Sequence, residues 1–422
     1  MRRFIGSMVV GLVVCALASC LVPAIAVADG YQYAGKWGSR GTGNGQFDGI
    51  GGIAIAGSGN VYVSDLGNKR IEKFSASGAY LGQWGTLGAS PEGVAVDRSG
   101  NVYVADYWGG RILKFSSSGT SLAQFDTTIA GDTWGSEPHS IAVDASGNIW
   151  VADSGDLLVK KFSSSGTYLG RLGTEGSGPG QLEFPVGVAV DPSNNVYVVD
   201  CTNYTVQKFT SGGTYLDGRT TICSGDANLL YPVHVAVDGA GNTYVADTYS
   251  GTLFSDASVK KFDSSFVFQT RIGVYSGSAA LDGTFCSVRG IAVGASGKVY
   301  LADTTYDRVV EFTPAAVVPA PTVTLKLSGL RSGALKLGKR VTAKGRVTPT
   351  SLAGSKVKLN VQKKKGAKWV TVKSTSRTIG VSGAYSWKYK PAKRGAYRMR
   401  ATVAKNAAHT AAATPWRKFK VK

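Results

Sequence analysis

The feature that most constrains the fold of this 422-residue chain is a short motif that occurs six times. Each copy is an apolar run that ends in Asp: NVYVSD (60–65), NVYVAD (101–106), NIWVAD (148–153), NVYVVD (195–200), NTYVAD (242–247) and KVYLAD (298–303). A second apolar run precedes each copy and a third follows it. A unit that recurs about every 40–50 residues indicates an architecture in which each unit buries its apolar faces against its neighbours.

The runs within a unit have the character of buried β-strands. GVAV and VYVA are apolar on both faces, as expected of a sheet packed between two other sheets. DRSGN at 97–101 and its counterparts suit tight turns, because Asp bonds the turn backbone and Gly adopts positive φ. Most units also have a fourth strand, and four strands per unit are typical of a β-propeller blade. We therefore predict an all-β chain in which residues 29–314 form a six-bladed propeller.

The strand count predicts how the ring closes. The sixth unit stops at Thr313-Pro314 without a fourth strand. YQYAGKWG at 31–38 resembles the fourth strand YLGQWG at 80–85, yet no partner strands precede it. We predict that residues 31–38 complete the sixth blade, which removes the exposed edges that invite aggregation.

The full pattern of a unit resembles that of a known family. GVAVDxSGNVYVADxxxxRIxKF, followed by GTEGSGPGQLEFP at 173–185, resembles the NHL-repeat family of propellers, and Asn68-Lys69-Arg70 stands where the family's signature falls. The resemblance covers residues 31–314 and implies the six-bladed fold. It does not imply one function, because the fold hosts receptors, RNA binders, lyases and lactonases.

Two sets of positions are expected at the same mouth of the central channel. The first set lies in the first strand of each blade, two residues before that strand's first apolar residue. Its members are Gly51, Glu92, His139, Val186, Val233 and Arg289. Loops at this end add the aromatic residues Tyr107, Trp108, Trp134, Tyr204, Tyr249 and Tyr306. We predict a ligand-binding surface made of Trp108, Trp134, His139, Tyr204, His234, Tyr249, Arg289 and Tyr306.

PHSIAVDASGNIWVAD at 138–153 resembles a blade of streptogramin lyase, a propeller enzyme with central His and Glu residues beside a magnesium ion. The resemblance implies that His139 is the general base or acid. If the chain is an enzyme, Glu92 and Arg289, which occupy the equivalent positions of their blades, would be its partners in the site. The chain departs from streptogramin lyase because only His139, His234 and His409 are available. The same shortage argues against the amidating lyases of this fold, which use several His residues as zinc ligands. We therefore interpret His139 as a solvated residue at a loop–strand junction and expect binding rather than catalysis.

No cofactor or metal is expected. Six converging carboxylates without cations would repel one another, so we predict that each Asp closing the repeated motif bonds the backbone of the loop that follows it. These residues are Asp65, Asp106, Asp153, Asp200, Asp247 and Asp303. No His/Cys spacing resembles a zinc site, and the cysteines are interpreted as structural. Cys201 and Cys223 are predicted to form a disulfide, with Cys286 as a second candidate partner for Cys223.

The C-terminal part differs from the propeller in charge. Residues 315–321 are a stiff Pro/Ala linker. Residues 321–422 contain 26 Lys and Arg residues and no acidic residue, whereas the rest of the chain has 21 basic and 27 acidic residues and a net charge of −6. Seven short runs that alternate apolar and basic residues predict a β-sandwich over 322–422. GxYxWxYxPxxxGxYRxRA at 383–401 resembles the immunoglobulin-like modules appended to secreted bacterial proteins.

The N-terminus resembles a secretory signal. Met1-Arg2-Arg3 precedes an apolar segment, and small residues at 26 and 28 predict cleavage after Ala28. An alternative is a lipoprotein modified at Cys20, but the apolar segment continues past that residue. No later run is long and apolar enough to cross a membrane.

These features predict a monomeric extracytoplasmic binding protein. The propeller would bind a protein or carbohydrate ligand, and the basic domain would associate with an anionic cell-wall polymer or lipid head groups. Export and the lack of a recognised motif argue against nucleic acid. The alternative is a propeller lyase or hydrolase with its site at the channel mouth.

Overall fold

The structure is a computed structural model that describes residues 30–86, 88–129, 135–219, 228–248, 258–275, 281–315, 322–348, 355–404 and 412–422. The predicted signal peptide and most of the predicted linker lie outside these ranges. The described residues form 38 β-strands and no helix, so nothing helical in them has the length and apolar character needed to cross a membrane. Two compact units divide the chain after Ala315.

The described residues of the first unit form six four-stranded antiparallel sheets, called blades here. Strand β1 (Tyr31–Trp37) precedes blade 1, which contains β2 (Ile50–Ile55), β3 (Val61–Asp65), β4 (Arg70–Phe74) and β5 (Tyr80–Gly85). Blade 2 contains β6 (Pro91–Val96), β7 (Val102–Asp106), β8 (Arg111–Phe115) and β9 (Ser121–Asp126). Blade 3 contains β10 (Pro138–Val143), β11 (Ile149–Asp153), β12 (Leu158–Phe162) and β13 (Tyr168–Leu172).

Two short parallel pairs accompany the remaining blades. The pair β14 (Thr174–Glu175) and β15 (Gln181–Leu182) precedes blade 4, which contains β16 (Pro185–Val190), β17 (Val196–Asp200), β18 (Thr205–Phe209) and β19 (Tyr215–Arg219). Blade 5 contains β20 (Pro232–Val237), β21 (Thr243–Asp247), β22 (Ser258–Phe262) and β23 (Phe268–Ile272). The pair β24 (Val274–Tyr275) and β25 (Thr284–Phe285) precedes blade 6, which contains β26 (Val288–Val293), β27 (Val299–Asp303) and β28 (Arg308–Pro314).

The ring closes through its first strand, as predicted. β1 pairs antiparallel with β28, with Tyr31 opposite Pro314, and so supplies the fourth strand of blade 6. Just beyond this ladder, the Ala315 amide donates to the Gly30 carbonyl at 2.8 Å. The first strand of each blade, called its inner strand, contacts the inner strand of the next blade, and β26 contacts β2. The prediction of an all-β propeller is confirmed.

Neighbouring inner strands pack backbone against backbone. A Cβ placed on Gly93 would lie 2.8 Å from the His139 carbonyl oxygen and 2.9 Å from Ser140 Cα. Gly52, Gly187 and Gly290 occupy the equivalent position, and each also faces backbone atoms of the next blade within about 3 Å. The second strands are buried along their whole length, which agrees with the two-sided apolar pattern of the repeat.

The six motif-closing Asp residues tie each second strand to the loop that enters the same blade. In blade 1, Asp65 Oδ1 accepts from the Asp48 amide at 2.8 Å, and in blade 3 Asp153 Oδ1 accepts from the Glu137 amide at 2.8 Å. The prediction that these carboxylates bond the backbone is right, but the common partner is the preceding loop rather than the following one. Five of the six also pair with a cation of the third strand: Arg70, Arg111, Lys160, Lys260 and Arg308.

The described residues of the second unit form ten strands in two sheets. They are β29 (Thr322–Val323), β30 (Lys326–Ser328), β31 (Ala334–Leu335), β32 (Val341–Thr348), β33 (Lys356–Lys365), β34 (Lys368–Thr378), β35 (Ala384–Tyr389), β36 (Gly395–Val403), β37 (Ala412–Ala413) and β38 (Arg417–Val421). One sheet has the order β29-β32-β30 with β35 beside β32, and the other has β31-β38-β36-β33-β34 with β37 beside β36. One apolar core, which includes Val341, Trp387 and Met399, lies between them. Assignment of this unit to the immunoglobulin-like class stays a prediction.

Candidate functional site

A β-bulge sets the direction of one side chain in every inner strand. In β10, Pro138 pairs with Asp153 and Ser140 with Ala152, which leaves His139 outside the regular ladder. The same irregularity recurs at the start of the other five inner strands. Because a bulge re-aims the side chain it carries, the position picked out by the sequence has a common structural role. Its occupants are Gly51, Glu92, His139, Val186, Val233 and Arg289.

Glu92 and Arg289 form an ion pair across blade 1. Arg289 Nη1 of blade 6 lies 3.0 Å from Glu92 Oε1 of blade 2. Blade 1 lies between them and contributes only Gly51, where a Cβ would lie 2.4 Å from Leu66 and 3.0 Å from the Glu92 carbonyl oxygen. Burial raises the pKa of Glu92 above its usual range, and Arg289 opposes that change.

His139 lies beside this pair in an aromatic pocket. Its ring centre is 4.6 Å from that of Tyr107 and 5.7 Å from that of Phe184. Burial, with a smaller contribution from Arg289, lowers the pKa of His139 to about 4. Its Nε2 is buried without a hydrogen-bond partner among the described residues. His139 is thus half-buried at the loop–strand junction, and its packing against two rings disfavours the protonated imidazole.

Tyr107 links His139 to an acidic residue that the sequence analysis missed. The Tyr107 hydroxyl donates to Glu137 Oε2 at 3.0 Å, and the Ser154 hydroxyl donates to the same oxygen at 3.3 Å. Burial, with Glu137 adding to it, raises the pKa of Tyr107. The available signal was the place of Glu137 in the loop that enters blade 3. We call Glu92, Tyr107, Glu137, His139 and Arg289 the channel-mouth cluster.

Trp108 extends the cluster into solvent. Its ring packs edge-on against Tyr107 with centroids 4.7 Å apart, while 77% of the residue stays exposed. Tyr204 is 41% exposed in the corresponding loop of blade 4 and adopts a φ of 54°. In blade 6 the Tyr306 ring lies over the Arg308 guanidinium at 4.9 Å. The predicted residues Trp134 and Tyr249 lie outside the described residues.

His234 belongs to a second set of contacts deeper in the ring. It stands one position after the bulge of β20, and its Nε2 lies 3.4 Å from Ser140 Oγ of blade 3. Blade 4 lies between them and contributes Gly187 at this level, which leaves room for the side chain. Burial lowers the pKa of His234 to about 4. His139 and His234 therefore both contribute neutral imidazoles to the interior of the ring.

The cysteine prediction is only partly covered by the structure. Cys201 is a free, buried thiol, and burial raises its pKa to about 11. The structure thus does not show the predicted bond to Cys223, which lies outside the described residues. Cys286 donates its backbone amide to Asp303 Oδ1 at 3.2 Å, as part of the loop contact shared by all blades.

Carboxylates also surround the other end of the channel. A cavity of about 230 Å³ is lined there by the turns that contain Asp97, Asp144, Asp191 and Asp238. Each of these carboxylates accepts from its own turn; Asp144, for example, accepts from the Ser146 and Asn148 amides at 2.9 Å. Within the described ranges, no group of three or more His, Cys, Asp or Glu side chains is arranged to hold a metal ion.

Comparison with known proteins supports the fold and the repeat. The NHL repeat matches residues 89–115, 136–162 and 182–209. A protein of unknown function from Bacteroides thetaiotaomicron is similar in structure with a TM-score of 0.50 and 18% identity, over 68% of this chain and 76% of that one. A gluconolactonase from Xanthomonas campestris gives 0.48 and 17%, over 64% and 88%. Virginiamycin B lyase from Staphylococcus aureus gives 0.45 and 12%, over 62% and 79%.

At 18% identity, the similarity to the Bacteroides thetaiotaomicron protein supports the fold alone. No curated protein sequence gives a significant match. The three matched segments begin in the loops that enter blades 2, 3 and 4 and end with the third strand of each. Blades 2, 3 and 4 thus match the NHL repeat, within a β-propeller whose described residues form six four-stranded sheets.

Proposed function

We propose that this chain is an extracytoplasmic binding protein whose propeller takes a protein or carbohydrate ligand at the channel mouth. The observation that carries the proposal is the exposed Trp108, held edge-on against Tyr107, whose hydroxyl in turn bonds Glu137. A rigid aromatic side chain beside a carboxylate offers apolar contact and a hydrogen-bond acceptor together. Peptide and sugar ligands are commonly bound by this combination.

The basic unit gives the protein a second attachment. Its 26 Lys and Arg residues face no acidic residue of the same unit, so it attracts anionic cell-wall polymers or lipid head groups over long range. In this proposal the protein is a monomer that the envelope retains and that presents the channel mouth to its ligand. Nucleic acid is not its partner.

The ligand part of the proposal is tested with Trp108→Ala. Native envelope extract and a glycan array are probed with the full chain, with the Trp108 variant and with a matched control, Leu122→Ala, which removes a side chain from a half-exposed residue of β9. Truncating a central aromatic contact typically costs more than 2 kcal/mol, so binding should weaken at least about tenfold. Equal binding by the Trp108 variant would contradict the proposal, as would equal loss in the control.

The envelope part is tested by sedimentation with isolated cell envelopes. We expect the full chain to co-sediment at low ionic strength and to be released as salt is raised, because the attraction is screened. A chain that ends at Ala315 should stay in the supernatant. Retention that does not change with salt concentration, or that persists in the truncated chain, would contradict this part.

A second candidate is a lyase or hydrolase at the same mouth. The observation that favours it is His139, which lies in the channel-mouth cluster beside the Glu92–Arg289 ion pair and would act as the general base or acid. The ion-paired Arg289 would then neutralise developing negative charge. Substrate turnover that is abolished by His139→Ala and persists in Leu122→Ala would establish catalysis and overturn the binding-only proposal.

A further inference from the structure

One face of the basic unit carries two tryptophans and two arginines in mutual contact. The guanidinium carbon of Arg398 lies 4.6 Å from the Trp369 ring centre and 4.4 Å from that of Trp416. The guanidinium carbon of Arg400 lies 4.7 Å from the Trp416 ring centre. We call these four residues the Arg–Trp cluster. Cation–π contacts at such distances restrict where each guanidinium can lie.

The cluster is built on the outer face of a sheet. Along β36, Tyr397 and Met399 are buried in the core, so Arg398 and Arg400 alternate to the other face. Trp369 comes from the edge strand β34, and the Arg398 Nε donates to Gln362 Oε1 of the strand between them at 2.8 Å. Rigid strands thus hold the cationic groups in place.

The unit has no carboxylate side chain to neutralise these arginines. Residues 321–422 contain no Asp or Glu, and the Arg400 Nε is buried without a hydrogen-bond partner among the described residues. Lys418 lies opposite Arg398 on β38, and Lys358 lies opposite Thr402 on β33, so both add charge to the same face. The counter-charge therefore has to come from outside the unit.

The contacts also indicate which kind of anion fits. Three guanidinium–ring contacts cover part of the aromatic surface of the two tryptophans, which reduces the ring area on which a base or a sugar could stack. Stacked guanidinium groups still present N–H donors along their edges, in the geometry that matches phosphate oxygens. The cluster thus suits repeated phosphate groups without bases.

We propose that the Arg–Trp cluster is a binding site for a linear phosphate polymer. The Nη–H groups of Arg398 and Arg400 donate to phosphate oxygens, since the Arg398 Nε is bonded to Gln362 and the Arg400 Nε is buried. Lys358 and Lys418 contact neighbouring phosphates of the same polymer. The proposal rests on the envelope association proposed above, and it specifies the face of the basic unit and the ligand chemistry.

The test uses the full chain and long-chain inorganic polyphosphate, with affinity measured by isothermal titration calorimetry over a range of salt. The double variant Arg398→Lys/Arg400→Lys keeps the charge but loses the planar, bidentate donors. We expect it to bind about tenfold more weakly, because charge-assisted bidentate hydrogen bonds are lost. The slope of log affinity against log salt concentration should equal that of the wild type, because the number of cationic side chains is unchanged. The control Lys388→Gln, on β35 of the other sheet, should bind within twofold of the wild type.

A second variant distinguishes loss of the binding site from unfolding of the basic unit. Trp369→Leu removes one ring of the cluster without changing the charge, and we expect it to weaken binding severalfold while circular dichroism and the unfolding temperature of the basic unit stay close to those of the wild type. Equal affinity of the double variant and the wild type would overturn the proposal. Tighter binding of single-stranded DNA or of phosphatidylglycerol vesicles than of polyphosphate would also overturn it.

The two proposals can fail separately. A wild-type chain that stays on isolated envelopes but does not bind polyphosphate overturns the phosphate-polymer site and leaves envelope association standing. A chain that binds polyphosphate through the cluster but is not retained by envelopes overturns the envelope association alone.

Discussion

Acid should destabilise the propeller through the two histidines inside its ring. Burial lowers the pKa of His139 and of His234 to about 4, whereas an unfolded chain holds both near 6.5. As the pH falls, the unfolded state binds these protons first. The stabilising contribution of the neutral imidazoles is therefore complete above pH 6.5 and is lost as the pH falls towards 4.

The size of the effect follows from the two pKa values. A difference of about 2.5 between the folded and unfolded pKa corresponds to about 3 kcal/mol of unfolding free energy for each histidine. About 2 kcal/mol of this is already lost at pH 5, since the unfolded state is almost fully protonated there and the folded state is not. Carboxylates also titrate in this range, so the informative quantity is the difference between wild type and a histidine variant.

The assay compares the wild type with His139→Phe, which keeps a ring between Tyr107 and Phe184. Unfolding free energies from urea denaturation at pH 8 and pH 5 should show the wild type losing about 2 kcal/mol more than the variant over this interval. The chain has three histidines, so proton NMR of their ring signals gives each pKa directly. A pKa above 6 for either His139 or His234, or a difference between wild type and variant that does not change with pH, would refute the reasoning.

Three further outcomes are expected. Asp65→Ala should lower the unfolding free energy by about 1–3 kcal/mol in calorimetry, because it removes one of the two carboxylates that pair with the buried Arg70 and leaves the Asp48 amide without its acceptor; an unchanged unfolding free energy would contradict this. Gly93→Val should cost about 1–3 kcal/mol in the same measurement, because its Cβ would meet the His139 carbonyl oxygen; an unchanged unfolding temperature would show that the inner strands can separate. With the other cysteines replaced by Ser, Cys201 should react with iodoacetamide at pH 8 only after denaturant is added, because burial raises the pKa of its thiol to about 11; rapid labelling of the folded chain would contradict its burial.

The sequence was sufficient for the parts of the fold that repeat. The apolar runs within a unit predict four strands per sheet, and the unpaired run at 31–38 predicts the pairing of β1 with β28. The channel-facing position could also be found, because Glu92, His139 and Arg289 stand at one register of the repeat. Periodicity identifies equivalent positions without any knowledge of the contacts they make.

The periodicity of the sequence does not predict contacts between side chains of different blades. The sequence does not predict the ion pair between Arg289 and Glu92. The pair forms across blade 1 because Gly51, which lies between the two residues, has no side chain to separate them. The burial of Lys160 could not be predicted from the sequence either, since a Lys in a strand usually indicates a solvated face. In the structure its ammonium lies 2.9 Å from Asp153, which makes burial possible. In the basic unit, Trp416 lies just before β38 and Arg400 lies in β36, and their contact is seen only in the folded structure.

The pairing of β1 with β28 has a consequence for the order of events during synthesis. Tyr31 emerges early from the ribosome, yet its partner Pro314 is made only after five complete blades. Until then the first strand has no ladder to join, and blade 6 cannot form a sheet of four. A contact of such sequence separation is reached late in folding, because closing a long loop costs entropy before any contact is gained. While the leading segment is unpaired, β28 presents an open edge. Either this segment or the same segment of a second copy can pair with that edge, so the interval before closure is when two copies could join.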